Sequence, residues 1–234
     1  MAIKRVSLGI IKAPNDSSKV PMANLFKKRK ELPRIVFDLE TLDVTTTAVV
    51  LSLGITTFKI TDNDNFMDLV DRGTNLIFDI EKQKAKGATT SKDTIQWWAE
   101  QSIDAQHGLM NGTDDPANLY QLLREGLGIQ MTRTFWYCRG PHFDAAILQN
   151  MCNNFGLQTP WKFAWMRDTR TWFDFYPDFV FHNKRPEGFI YHNSLHDAAL
   201  EAYNMQLCWK QYHKTDHLNS DQAAQKKLDA QLNA

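Results

Sequence analysis

The sequence predicts an α/β fold built on a mixed sheet, and three observations carry that prediction. Apolar, β-branched runs bounded by turn residues fill the first half of the chain, as in an antiparallel meander. Short apolar runs and helical patterns alternate in the second half, the layout of parallel strands joined by helices. The length, 234 residues, is enough for one domain with a sizeable core. Hydrophobic content of 43% and charged content of 23% are ordinary globular values and exclude wholesale disorder.

Residues 1–33 form a basic arm, with Lys4, Arg5, Lys12, Lys19 and the run Lys27-Lys28-Arg29-Lys30 against only Asp16 and Glu31. Two readings stand for it: a contact to nucleic-acid phosphates, or a solvated terminus. The stretch Ile35-Val36-Phe37-Asp38-Leu39-Glu40-Thr41-Leu42 then reads as a strand buried on both faces. Side chains alternate along a strand, so Asp38 and Glu40 share a face. Two carboxylates so close repel one another and lose hydration in a core; a divalent cation relieves both costs, and so does a strand end running into solvent.

Ala48 to Phe58 reads as a second strand, Phe66 to Val70 as a third, and Leu76 to Ile80 as an extended piece. Ser91 is a helix N-cap for a segment running through Trp97-Trp98-Ala99. Asp115-Pro116 opens another helix, with Leu119, Leu122 and Leu123 on one face. Thr134 to Cys138 is a buried strand, followed by the turn Arg139 to Asp144 and a helix through Ala145 to Met151. Phe163 to Met166 predicts another short strand, and Arg167 to Thr171 the opening of a short helix. Pro177, Pro186 and Gly188 mark 177–190 as a loop. From Asn193 a helix begins, with Leu195, Ala199, Ala202 and Trp209 on one stripe; from Asp216 the tail is polar, either a peripheral helix or disordered.

Formal net charge is zero, which disfavours a long basic track along duplex nucleic acid but suits a grip on strand ends. Cys138, Cys152 and Cys208 are odd in number and widely spaced, as expected of reduced core thiols. No apolar run approaches the roughly 18 residues of a membrane span, and no leader precedes the first strand. The expectation is a soluble, cytoplasmic protein without membrane contact.

Three further groups fall where mixed sheets place their sites. Asp144 follows a buried strand, Asp197 lies in the first turn of the long helix, and His192 precedes Asp197 by five residues. Singly, each has an ordinary explanation as a helix N-terminal acid or a loop histidine. Taken together, Asp38-x-Glu40, Phe143-Asp144 and His192-x-Ser194-x-x-Asp197 resemble the DEDDh exonucleases of the DnaQ-like, ribonuclease H-type fold. Thr94-Ile95-Gln96-Trp97-Trp98, Arg167-Asp168-x-Arg170-Thr171 and Tyr191 to Ala198 are similar to the branch that holds phage exonuclease A and a mycobacterial-type 3′-to-5′ exoribonuclease. Departures from the branch pattern fall at Arg139 to His142, Ser194 and His196, which leave the acids intact.

The resemblance implies a ribonuclease H-like mixed central sheet flanked by helices and an exonuclease domain over 34–213, with the tail at 214–234 outside it. It implies that Asp38, Glu40, Asp144 and Asp197 hold two divalent cations, Mg²⁺ or Mn²⁺, as suits all-oxygen ligation. His192 would be the general base that deprotonates the attacking water, and nucleoside 5′-monophosphates would leave from a 3′ end. Thr41 would meet the terminal sugar and Leu42 the terminal base; Phe143 would line the same pocket or belong to the core. Arg167 and Arg170 would meet phosphate, unless Arg170 pairs with a neighbouring acid. Trp97-Trp98 would offer stacking surface or core packing. The expected partner is the 3′ end of single-stranded DNA or RNA, with DNA the first choice. Two rivals remain: a non-catalytic protein that binds nucleic-acid ends, and an HD-type metal phosphohydrolase marked by His196-Asp197.

Overall fold

A strand enriched in β-branched and aromatic residues, β1 (Arg34–Thr41), forms the centre of the molecule in the computed structural model. The structure describes residues 32–109, 111–128, 134–179 and 185–232, with the backbone alone for 214–232. The basic arm through residue 31 lies outside the described residues.

Antiparallel to β1 runs β2 (Val50–Phe58), and antiparallel to β2 runs β3 (Thr74–Ile77). On its other side β1 pairs in parallel with β4 (Phe135–Cys138), which pairs in parallel with β5 (Met166–Asp168). The sheet order is β3-β2-β1-β4-β5, a mixed five-stranded sheet with the meander expected of the first half. The pairing of β1 with β2 slips between Glu40 and Thr41, a bulge beside the two acids.

The segment at Phe66 to Val70, read as a strand, is instead helix α1 (Phe66–Asp71). The Asn65 backbone N–H donates to Asp68 Oδ2 at 2.8 Å, a reciprocal cap that starts a helix. Phe66 and Leu69, three apart, then bury together on one side. Leu76 to Ile80 likewise divides, since Asp79 accepts from the Lys82 backbone N–H and caps α2 (Ile80–Lys84). Helix α3 (Lys92–Ala99) begins at the Ser91 cap, and α4 (Ile103–His107) begins at Ser102. A 3₁₀ turn at Pro116–Asn118 leads into α5 (Leu119–Leu127). Helix α6 (Asp144–Asn154) follows β4.

The strand expected over Phe163 to Met166 is a 3₁₀ turn at Phe163–Trp165, and pairing begins only at Met166. Phe163 is 99% exposed, so this aromatic stretch lacks the burial a strand reading assumes. Asp168 caps α7 (Thr169–Asp174), accepting from the Arg170 backbone N–H and from the Thr171 hydroxyl. Residues 177–179 and 185–190 carry no helix or strand, and 180–184 lie outside the described residues. The last element, α8 (Ser194–Leu232), runs without a break through the polar tail.

Alternation along β1 assigns the two faces of the sheet. Ile35, Phe37 and Leu39 pack with Leu119 and Leu123 of α5 and with Ile147, Leu148 and Met151 of α6. Val36 packs with Phe66 and Leu69 of α1 and with Ala198, Ala199, Ala202 and Met205 of α8. Asp38 and Glu40 therefore fall on the face that α8 covers, at its first turn. All three cysteines are buried free thiols. Among the described residues no helix is long and apolar enough to cross a membrane.

Candidate active site

The carboxylates of β1 meet those of α6 and α8 towards the C-terminal end of this central strand. Asp38, Glu40, Asp144, Asp197 and His192 all line one cavity of about 320 Å³, together with Arg139, Phe143, Arg185 and Glu201. Asp38, Glu40 and Asp197 each present an oxygen within 4.8 Å of the others.

How α8 arrives there follows from a missing side chain. Gly54 of β2 sits opposite Asp38, and a Cβ on it would collide with the Ser194 carbonyl. The helix start thus rests on bare β2 backbone. The buried Ser194 hydroxyl donates to Asn75 Oδ1 at 2.9 Å and accepts from the Ser52 hydroxyl at 2.8 Å. These bonds tie the turn carrying His192 to β2 and β3. His192 itself takes a left-handed backbone, φ +59°, which an L side chain adopts only where its surroundings enforce it. Its ring meets Trp97 edge-on, centroids 4.8 Å apart, and Trp98 at 6.2 Å.

The electrostatics are those of a site built for cations. Burial first, then Asp144, Glu40 and Asp197, push the Asp38 pKa well above the carboxylate range. Burial and the charges of Asp197 and Asp144 raise Glu40 to about 8. Asp144 rises to about 7 through burial, although its own and the Leu39 backbone N–H groups pull it back. Asp197 reaches about 6, burial outweighing the opposing charge of Arg185. Hard oxygen ligands that resist ionising together fit a divalent metal ion, and the cluster implies its use. Burial lowers the His192 pKa, so its imidazole is neutral near pH 7.

Thr41 and Leu42 do not line this cavity. The Thr41 carbonyl accepts from the Trp98 indole N–H at 2.9 Å. Leu42 lines a second, apolar cavity of about 260 Å³ with Leu51, Ile95, Trp98, Ala99, Gln106 and Leu109. Trp98 is buried while Trp97 is 41% exposed, so the pair divides between core and surface. Phe143 lines the acid cavity, not the cavity of Leu42, and also packs against the core.

Arg167, expected to meet phosphate, does not line the acid cavity. Its guanidinium donates to the carbonyls of Ala164 and Met166 and lies 5.0 Å from the centre of the Phe135 ring. The cations at the cavity are Arg139, singled out from sequence only as a departure from the branch pattern, and Arg185, not singled out at all. Glu201 was missed as well, although its place one turn after Asp197 puts it on the same helix face. His196 turns away from the acids: its Nδ1 accepts from the Ile190 backbone N–H at 3.0 Å, and its ring packs on Phe66. With the five-stranded sheet, this sets aside the HD-type reading, which needs that histidine as a ligand in an all-helical fold.

Residues 33–209 match the family model of the 3'-5' exoribonuclease Rv2179c-like domain. The exodeoxyribonuclease of Enterobacteria phage T4 is 27% identical over 197 residues, covering 73% of this chain and 86% of the phage protein. S. pombe Pop2p, in its Mg²⁺ and Mn²⁺ bound form, superposes on 82% of this chain and 88% of its own, with TM-score 0.51 and 15% identity. E. coli Exonuclease I in complex with a dA16 oligonucleotide covers 81% of this chain at 11% identity and TM-score 0.52, and the chain spans 43% of it. Such low identities speak to fold alone, and the fold is shared. The chain belongs to the family of 3'-5' exoribonuclease Rv2179c-like domains and is a 3′-to-5′ exonuclease of the DnaQ-like, ribonuclease H-type fold.

Proposed function

We propose that the chain removes nucleoside 5′-monophosphates from the 3′ end of single-stranded nucleic acid by a two-metal mechanism, with His192 as general base. The observation that carries the reading is the convergence of Asp38, Glu40, Asp144, Asp197 and His192 on one cavity from β1, α6 and the start of α8. The four acids would hold two ions, Mg²⁺ or Mn²⁺. When bound, the ions stabilise charge on the attacking and leaving oxygens of an in-line phosphoryl displacement.

His192, neutral at working pH, accepts the proton of the attacking water. Its ring is steadied by Trp97 and its backbone by the strained turn, which limits misorientation. The 3′-terminal sugar lies against Thr41, and the terminal base against Leu42, whose side chain opens onto the apolar cavity. Phe143 lines the reacting side. We assign the exonuclease domain to 34–213, with the basic arm at 1–33 and the tail at 214–234 outside it.

Single-stranded DNA is the substrate we favour, because the phage T4 relative, aligned over most of its length, is an exodeoxyribonuclease. RNA is the second reading, favoured by the family's description as an exoribonuclease domain. Incubation with 3′-labelled and 5′-labelled DNA and RNA oligonucleotides, with Mg²⁺, Mn²⁺ or chelator, tests all of this. Metal-dependent loss of the 3′ label, with a 5′-labelled ladder on DNA, is expected. Retained binding to ends without shortening of either polymer would refute catalysis.

A further inference from the structure

Two arginines stand at the acid cavity, and their surroundings differ from those of the acids. Arg139, just after β4, donates through Nη1 to Glu201 Oε1 at 2.7 Å, yet its side chain stays 54% exposed. Glu201 is only 7% exposed, and its second oxygen, Oε2, is buried with no hydrogen-bond partner among the described residues. A carboxylate kept half-satisfied beside four others costs stability, and what it secures in return is the placement of Arg139. Arg185 approaches the same cavity from the segment ahead of His192. Its charge faces Asp197 without forming an ion pair among the described residues; its guanidinium lies 5.2 Å from the centre of the Phe189 ring and 5.7 Å from that of Tyr191. Aromatic faces orient a guanidinium while leaving its N–H edge available.

We propose that Arg139 and Arg185 form the phosphate grip of the cavity, and that Glu201 is the positioning residue that aims Arg139. The inference rests on the exonuclease reading above and deepens it by naming the groups that take the substrate's phosphate oxygens. A planar guanidinium offers five donors in a fixed fork, so Arg139 can keep Glu201 on one edge and bind a phosphodiester oxygen on another. Glu201 then faces the arginine rather than the nucleic acid, whose phosphates it would otherwise repel. Arg167, spent on backbone carbonyls, has no part in the grip.

The test measures binding of a nucleoside 5′-monophosphate to the full chain by calorimetry in Mn²⁺, where no cleavage can occur, alongside KM and kcat on a single-stranded oligonucleotide. Arg139→Gln and Arg185→Gln should each weaken monophosphate binding and raise KM by about 10- to 100-fold, the worth of a charge-assisted hydrogen bond. Mn²⁺ affinity without nucleotide should not weaken. Glu201→Gln should move the same two readouts in the same direction, and adding it to Arg139→Gln should cost nothing further, since it acts through that arginine. Monophosphate binding left intact in both arginine variants would overturn the grip. Loss of Mn²⁺ affinity in Glu201→Gln, with nucleotide binding intact, would make Glu201 a metal ligand and overturn its positioning role. Should the wild-type protein bind monophosphate through these arginines yet shorten no oligonucleotide, the grip stands and the exonuclease reading falls.

Discussion

Two cavities adjoin the end of β1, and they are opposites in character. One is walled by five carboxylates, with Asp38, Glu40, Asp144 and Asp197 pushed towards protonation by burial and by one another. The other is walled by Leu42, Leu51, Ile95, Trp98 and Leu109 and needs nothing to be stable. The Glu40-Thr41-Leu42 step, with its bulge, joins them, and the His192 ring of the first lies 6.2 Å from the Trp98 ring of the second. Charge under tension beside a relaxed apolar slot is an economical way to divide labour: the first can drive chemistry, the second can only hold. The two should therefore break separately.

The largest effect should come from the acid side. Asp38→Ala or Asp144→Ala is expected to abolish cleavage while keeping the circular dichroism spectrum, and to raise Tm in chelator because a repelling charge is gone. Wild-type rates in either variant would remove these residues from the metal set. Next is His192→Ala, expected to lower kcat by about 10²- to 10⁴-fold, the range of a lost general base, with Mn²⁺ affinity unchanged. An unaltered pH–rate profile in that variant would exclude the role.

On the apolar side the effects should be smaller and confined to binding. Leu42→Ala should raise KM about tenfold with kcat nearly kept, because only uniform binding is lost; a fall in kcat alone would contradict the separation. Trp98→Phe keeps most of the ring but loses the bond to the Thr41 carbonyl, and a KM change of about fivefold is expected from one hydrogen bond.

The subtlest readout involves no nucleic acid at all. Glu40, Asp144 and Asp197 have folded-state pKa values of about 8, 7 and 6, above their unfolded values. The folded chain thus binds more protons than the unfolded one between roughly pH 4 and 8, and stability falls as pH rises through that window. In chelator, Tm should drop between pH 5 and pH 8; Mn²⁺ should restore it, most at the upper end. Glu40→Gln should flatten the upper part of that decline. A Tm that rises with pH in chelator would mean the acids are already compensated.

Much of this was legible in the sequence because it depended on local pattern. The alternation in Ile35 to Glu40 placed the two acids on one face, and the caps at Ser91 and Asp115 placed two helix starts. What failed depended on context. Phe66 to Val70 has strand-like composition, but a cap three residues long decides for helix. Arg167 is a separate case: it sits in a motif that looks like a phosphate contact, lies off the acid cavity and donates to its neighbours' carbonyls. The Arg139–Glu201 pair spans 62 residues and leaves no local trace except the i+4 spacing of Glu201 from Asp197. Ser194, which departs from the branch pattern, docks α8 on β2 and β3 through bonds that local pattern does not announce.

That docking bond also sets a timetable. Ser52 and Ser194 meet across 142 residues, and the start of α8 lands on Gly54 of β2. Contacts of such sequence separation form late, after the loop between them has been closed. On a ribosome, β1 and β2 emerge with two acids exposed long before the segment bearing His192 and Asp197 has been made. On the proposed mechanism, a nascent chain halted ahead of His192 would hold at most three of the four acids and no base, and so could not attack the nucleic acids that surround it while it is synthesised.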